Sequence, residues 1–198
     1  MAKTRSTALR GNSINGFVLA GGHSRRMGQD KALLPWNGRS LLDHMTHLLS
    51  TVAGEVRVIG RGDLPDKIPE KGPLGGILTA LQITSASRNL VVAVDLPFLP
   101  ESFLQVFRER ILRSKKQLVA CKAGSDYPLC LGLDRALLPA VARRIATGKL
   151  ALREFVEETP AEILDEASLY AAGFEPFIFN NLNTPEDWQR LSNRESQK

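Results

Sequence analysis

Between Leu19 and Lys31 the chain reads Leu19-Ala20-Gly21-Gly22-His23-Ser24-Arg25-Arg26-Met27-Gly28-Gln29-Asp30-Lys31. Gly21, Gly22 and Gly28 let the backbone of such a stretch approach an anion, and Arg25, Arg26 and Lys31 bring positive charge to it. This is a phosphate cradle by composition, with the backbone of Leu19, Ala20, Gly21 and Gly22 as its floor. It is not a P-loop, because no Gly-Lys-Ser/Thr follows at the required spacing. Nor is it a dinucleotide fingerprint, because Gly21 and Gly22 are adjacent and the acidic ribose partner is missing. A plain glycine turn is the competing account, but it leaves unexplained why three cations share one short loop, which is costly unless an anion neutralises them.

A second stretch, Asp95-Leu96-Pro97-Phe98-Leu99-Pro100, follows the apolar run Val91-Val92-Ala93-Val94. One carboxylate thereby stands at the carboxyl end of a buried strand, directly before a rigid turn. That placement suits a magnesium ligand. Magnesium prefers hard oxygens, usually takes one or two carboxylates, and completes its shell with phosphates and water. An aspartate that merely opens a turn before proline is the alternative. Further on, Gly72-Pro73-Leu74-Gly75-Gly76 marks a helix start, where free N–H groups and close approach to a ligand become available, or where glycines simply serve helix packing.

Other reactive side chains carry less. His44 and His47 lie three apart on an expected helix with no third ligand in view, so they read as helix-surface residues. Cys121 and Cys130 have no metal-type spacing and read as reduced thiols packed as small hydrophobes. No Ser-His-Asp or Cys-His set can be assembled, so covalent catalysis is not expected.

The elements that must position these residues alternate along the chain. Apolar, β-branched runs at 17–20, 55–59, 90–94, 118–121 and 129–133 predict strands, and helical spacing predicts helices over 40–50, 74–85, 100–112, 134–146, 150–158 and 184–191. Runs without polar alternation suit strands covered on both faces. The order predicts an α/β fold with a mostly parallel sheet between two layers of helices, and a ligand at the carboxyl ends of the strands. Residues 1–15 and 194–198 are polar and aperiodic and are expected to be flexible ends around one domain at 16–193. The segment 63–72, rich in proline and charge, is long for a connection and is a candidate functional loop.

Composition sets the outer limits. Of the 198 residues, 43% are hydrophobic and 24% charged, ordinary for a globular chain, and no apolar run reaches the roughly 20 residues that cross a bilayer. A soluble cytoplasmic protein without membrane contact is expected. The net charge of +5 suits an anionic partner. Its positive residues are scattered rather than gathered in a strip, which favours small phosphorylated ligands over nucleic acid.

The stretch 19–31 fits LAGG-x-S-x-RMG-x-DK at every specified position, and in this the chain resembles the molybdenum cofactor guanylyltransferases of the MobA type. The resemblance runs from Phe17 to Trp188 through four motifs in the family's order. It implies a three-layer α/β/α Rossmann-like nucleotidyltransferase fold that transfers GMP from GTP to the terminal phosphate of molybdopterin with Mg2+. It further implies that Asp95 binds the metal, that Asp66 contacts the nucleotide, and that Asn181 and Asn183, matching N-x-N-T-P-E-[DE], line the site for the pterin substrate or metal-bound phosphates. Lys31, with Arg25 or Arg26, would neutralise the phosphates. Transient contacts with molybdoenzymes or other cofactor-biosynthesis proteins are expected partners. The chain departs from the pattern at Ile59-Gly60-Arg61, where some relatives carry an asparagine that helps bind the nucleotide, and at Tyr127, where His or Gln is frequent. A cytidylyltransferase of the same fold and a non-catalytic nucleotide-binding partner are the rival expectations.

Overall fold

The computed structural model describes residues 14–21, 30–61, 64 and 71–182. Its centre is a six-stranded sheet of β1 (Ile14–Leu19), β4 (Glu55–Ile59), β5 (Arg88–Ala93), β6 (Leu118–Cys121), β7 (Cys130–Asp134) and β8 (Ala161–Leu164). The spatial order is β4-β1-β5-β7-β6-β8, parallel throughout except for β7, which runs against both neighbours. The mostly parallel sheet expected from the sequence is thus present. A small antiparallel ribbon, β2 (Pro35–Trp36) and β3 (Arg39–Ser40), lies outside it, turned by Asn37 and Gly38, both at positive φ.

Alternate side chains of the strands enter two separate cores. Ile14, Val18, Leu90, Val92, Val119 and Cys121 pack under α1 (Leu41–Ser50), α3 (Glu101–Arg113) and α6 (Glu166–Ala171). On the other face, Phe17, Leu19, Val91, Leu118, Ala120 and Leu131 meet α2 (Gly72–Ile83), α4 (Leu138–Ala146) and α5 (Leu152–Glu158). Burial on both faces explains why β6 and the centre of β5 read as unbroken apolar runs. Cys121 and Cys130 are free and buried, as their apolar setting implied. No helix among the described residues is long and apolar enough to cross a membrane.

Local chemistry sets the helix starts. Ser40 Oγ accepts from the amide of Asp43 at 3.0 Å and donates to the Asp43 carboxylate at 2.6 Å, which caps the start of α1. The expected helix from 134 is divided: the Asp134 side chain caps a 3-10 turn at Arg135–Leu137, and α4 begins only at Leu138. Ile14 and Asn15, placed by the sequence in the N-terminal polar stretch, belong to β1. Ile14 is buried, and the Asn15 amide donates to Thr84 Oγ1 at 3.2 Å, which in turn donates to Asn89 Oδ1 at 2.6 Å. This buried polar chain satisfies itself at the end of the sheet where the interior strands β1 and β5 begin. The expected helix at 184–191 lies outside the described residues.

Helix α3 lies so close to β7 that a Cβ on Gly132 would fall 2.3 Å from Ile111 Cγ1. Ile111 is fully buried, so making room means shifting its packed neighbours. Gly132→Ala should therefore cost about 1–3 kcal/mol by overpacking, read as a lowered denaturation midpoint. The Gly132→Ala/Ile111→Ala double variant should lose less than the sum of the two single losses; strict additivity would show that this contact does not limit the packing.

Candidate active site

From β1 the chain passes to β4 on one side and later returns to β5 on the other, so the carboxyl ends of these three strands open a common crevice. The strand ends are laced together by backbone bonds. Ala20 donates to Ile59 O at 2.9 Å, and Val94 donates to Leu19 O at 3.0 Å. Asp95 follows directly. Its partner Lys31 opens the 3-10 turn Lys31–Leu33, and the ammonium stands 3.8 Å from Asp95 Oδ2 with the two side chains only 18% and 23% exposed. Burial pushes the Asp95 carboxyl above the usual aspartate range, and the positive charge of Lys31 opposes that shift. The separation makes this a charge pair rather than a hydrogen bond.

The loop after β4 is pressed against the loop after β1. Gly60 has φ +91°, and a Cβ there would lie 2.4 Å from Gly21 Cα and 2.5 Å from Gly21 N, so this position admits no side chain. The next residue, Arg61, donates from Nε to Ala20 O at 3.0 Å and from Nη2 to the carboxylate of Asp30. Asp30 Oδ1 also accepts from the amide of Ala32 at 3.2 Å and so caps the turn that carries Lys31. The hydrogen bond from Arg61 holds the Asp30 carboxyl below its ordinary range, against an opposing effect of burial.

The turn after Asp95 is braced by rings. Phe98 meets Trp36 edge to face with centroids 5.1 Å apart and lies 5.0 Å from Phe177. His44 Nε2 stands 3.3 Å from the Pro97 carbonyl oxygen, which is placed to accept from it, and its ring lies 6.3 Å from Trp36. The helix-surface reading of the two histidines therefore holds for the exposed His47 but not for His44, which is half-buried against this turn. The amide of Leu182 donates to Asp95 O at 3.1 Å, bringing the exposed Asn181 beside the aspartate.

Of the residues singled out in the sequence, Leu19, Ala20, Gly21, Lys31, Asp95 and Asn181 gather at this crevice. Gly22, Arg25, Arg26, Asp66 and Asn183 lie outside the described residues. The sequence marks Arg61 only by its place in a departure from the motif. It marks Asp30 only as a motif letter, since nothing in the spacing signals a carboxylate that caps its own turn and reaches another strand's loop.

Among the described residues no three His, Cys, Asp or Glu side chains converge as a metal cluster. A magnesium ion asks for less. A single hard carboxylate, partly withdrawn from water and disfavoured in its charged form, fits a cation that brings phosphate and water ligands with it. Asp95 is the described residue with that character.

Residues 16–163 match the family described as MobA-like NTP transferase domain. A molybdenum cofactor guanylyltransferase of Xanthomonas euvesicatoria pathovar vesicatoria is 36% identical over 183 residues, covering 89% of this chain and 93% of that protein. A probable molybdenum cofactor guanylyltransferase of Carboxydothermus hydrogenoformans is 30% identical over 183 residues, covering 88% and 92%. Among solved structures, molybdopterin-guanine dinucleotide biosynthesis protein A of Archaeoglobus fulgidus superposes with a TM-score of 0.74 at 20% identity, covering 93% of this chain and all of that one, a likeness of fold. With the family match spanning most of its length, and close relatives matched nearly end to end, this chain is a member of the MobA-like NTP transferase family.

Proposed function

We propose that the protein is a molybdenum cofactor guanylyltransferase that joins GMP from GTP to the terminal phosphate of molybdopterin. The observation that carries this reading is the pairing of Lys31 with a largely buried Asp95 at the carboxyl ends of β1 and β5. An oxygen of the molybdopterin phosphate attacks the α-phosphorus of GTP, the bond to the bridging oxygen of the β-phosphate breaks, and pyrophosphate leaves. A phosphate monoester has a second pKa near ~6 and is mostly dianionic at neutral pH, so no strong base is needed. Catalysis then rests on positioning and on neutralising charge.

In this proposal the backbone of Leu19, Ala20, Gly21 and Gly22 cradles the nucleotide. Lys31, with Arg25 or Arg26, neutralises the phosphates, Asp66 contacts the nucleotide, and Asn181 and Asn183 face the second substrate. Asp95 would hold Mg2+, which supplies positive charge to the reacting phosphates when bound. The names of the relatives and the complete LAGG-x-S-x-RMG-x-DK motif support the choice of GTP and molybdopterin. Two buried reduced cysteines accord with a cytoplasmic setting.

The deciding assay measures pyrophosphate release from each of the four nucleoside triphosphates with purified molybdopterin. Release is expected with GTP and Mg2+, lost on chelation and restored by added Mg2+. Release with CTP instead would move the protein to cytidylyl transfer, and release with none would defeat the reading. Asp95→Asn should lower kcat by at least about 100-fold, since it removes a charge placed at the reacting phosphates.

The same substitution should not lower the melting temperature. The folded-state pKa of Asp95 lies above its unfolded value, so the ionised carboxylate costs the native state stability at neutral pH, and that cost fades as pH falls through the folded pKa. A clear fall in the melting temperature of Asp95→Asn would contradict this. In Lys31→Met the opposing charge is gone, so the Asp95 carboxyl should titrate at still higher pH, as carboxyl-carbon NMR of the metal-free protein would record.

A further inference from the structure

We propose that Arg61 is a positioning residue of the nucleotide site, one that ties the two ends of the glycine-rich stretch together so that Ala20, Gly21 and Lys31 keep a set spacing; this rests on the nucleotidyltransferase reading above. The guanidinium uses two nitrogens on two acceptors that are ten residues apart in the chain. Nε donates to Ala20 O at 3.0 Å, where the stretch begins, and Nη2 donates to Asp30, where it ends. The acceptor Oδ1 of Asp30 also caps the turn at Ala32 N, 3.2 Å away, and the first residue of that turn is Lys31, which faces Asp95. A chain of contacts therefore runs from β4 through Arg61 and Asp30 to the ammonium at the reacting end of the crevice.

The base of this tie is itself fixed. Ala20 N is bonded to Ile59 O and Gly60 N to Leu64 O, at 2.9 and 2.8 Å, so the backbone that presents Arg61 is held on both sides. A lysine could not replace it, since one nitrogen on a flexible stem cannot hold two acceptors in a planar fork. The side chains of Arg61 and Asp30 are 28% and 35% exposed, and a pair so open to water contributes little to stability. Its consequence falls on the geometry of the site instead.

The test compares Arg61→Met, Arg61→Lys, Asp30→Ala and the Arg61→Met/Asp30→Ala double variant of the full chain. Nucleotide turnover is measured with GTP, molybdopterin and Mg2+, and amide exchange at Ala32 is measured in the ligand-free protein. Arg61→Met and Asp30→Ala should each raise KM for GTP by about 10-fold with a smaller change in kcat. The double variant should be no worse than the poorer single, because both remove the same tie. Arg61→Lys should recover only a minor part, and Ala32 exchange should quicken in both single variants while α3 stays protected.

An unchanged KM in Arg61→Met overturns the proposal. So does a double variant whose loss is the product of the single losses, since Arg61 would then act independently of Asp30. If the wild-type chain turns over no nucleotide, the functional reading fails separately. The exchange of Ala32 then decides the tie by itself: quickened exchange in Arg61→Met sustains it, and unchanged exchange removes it.

Discussion

An ionised carboxylate delivered into surroundings poor in water must be met by positive charge or surrender its own. At the end of β5 that carboxylate is Asp95, and the charge that meets it comes from Lys31, sixty-four positions earlier in the chain. The pair exists only because β1 and β5 are neighbours in register, Leu19 opposite Ala93, so that their ends emerge side by side. Much of the remaining architecture serves that adjacency. Two cores, one on each face, hold the strands flat against one another, and the close seat of Gly60 on Gly21 brings the end of β4 into the same crevice.

The two ends of the central strands solve opposite problems. Where β1 and β5 begin, Asn15, Thr84 and Asn89 exchange hydrogen bonds and Asn89 reaches Leu133 O at 3.3 Å, so the polar groups there are satisfied within the protein. Where the strands end, burial disfavours the charge of Asp95 and Lys31 opposes that effect. A residue held in a disfavoured charge state needs a rigid seat, or the chain would relax around it. The rings of Trp36, Phe98 and Phe177, the Pro97 carbonyl against His44, and the amide of Leu182 provide that seat from separate elements.

What the sequence made legible follows from how local each signal was. Strands buried on both faces are continuous apolar runs, and β5 and β6 can be read within two residues of their bounds, while the edge strand β4 is marked by its β-branched Val56, Val58 and Ile59. β8 and α6 were not foreseen, because Ala161–Leu164 is a short edge strand with one buried residue and Glu166–Ala171 buries only Leu169. The ribbon at Pro35–Ser40 carried an Asn37-Gly38 hairpin signal, but with only two residues in each strand the flanking pattern is too short to stand out. Lys31 and Asp95 were visible as motif residues, while their approach to 3.8 Å depends on strand order, which no local spacing encodes. The reversed direction of β7 and the half-burial of His44 are likewise consequences of tertiary pairing.

Gly60 and Arg61 show how the end of β4 acts on the neighbouring loop, by close packing at one position and hydrogen bonds from the next. With a Cβ at Gly60 excluded by the backbone of Gly21, that position offers a bound nucleotide only peptide groups. The next residue, Arg61, places Nε on Ala20 O and Nη2 on Asp30. The end of β4 therefore contributes shape and the fixed spacing of the strand ends. Tightness at Gly60 and charge at Arg61 are therefore coupled: the close packing that bars a side chain at one position brings the guanidinium of the next within reach of the loop it holds.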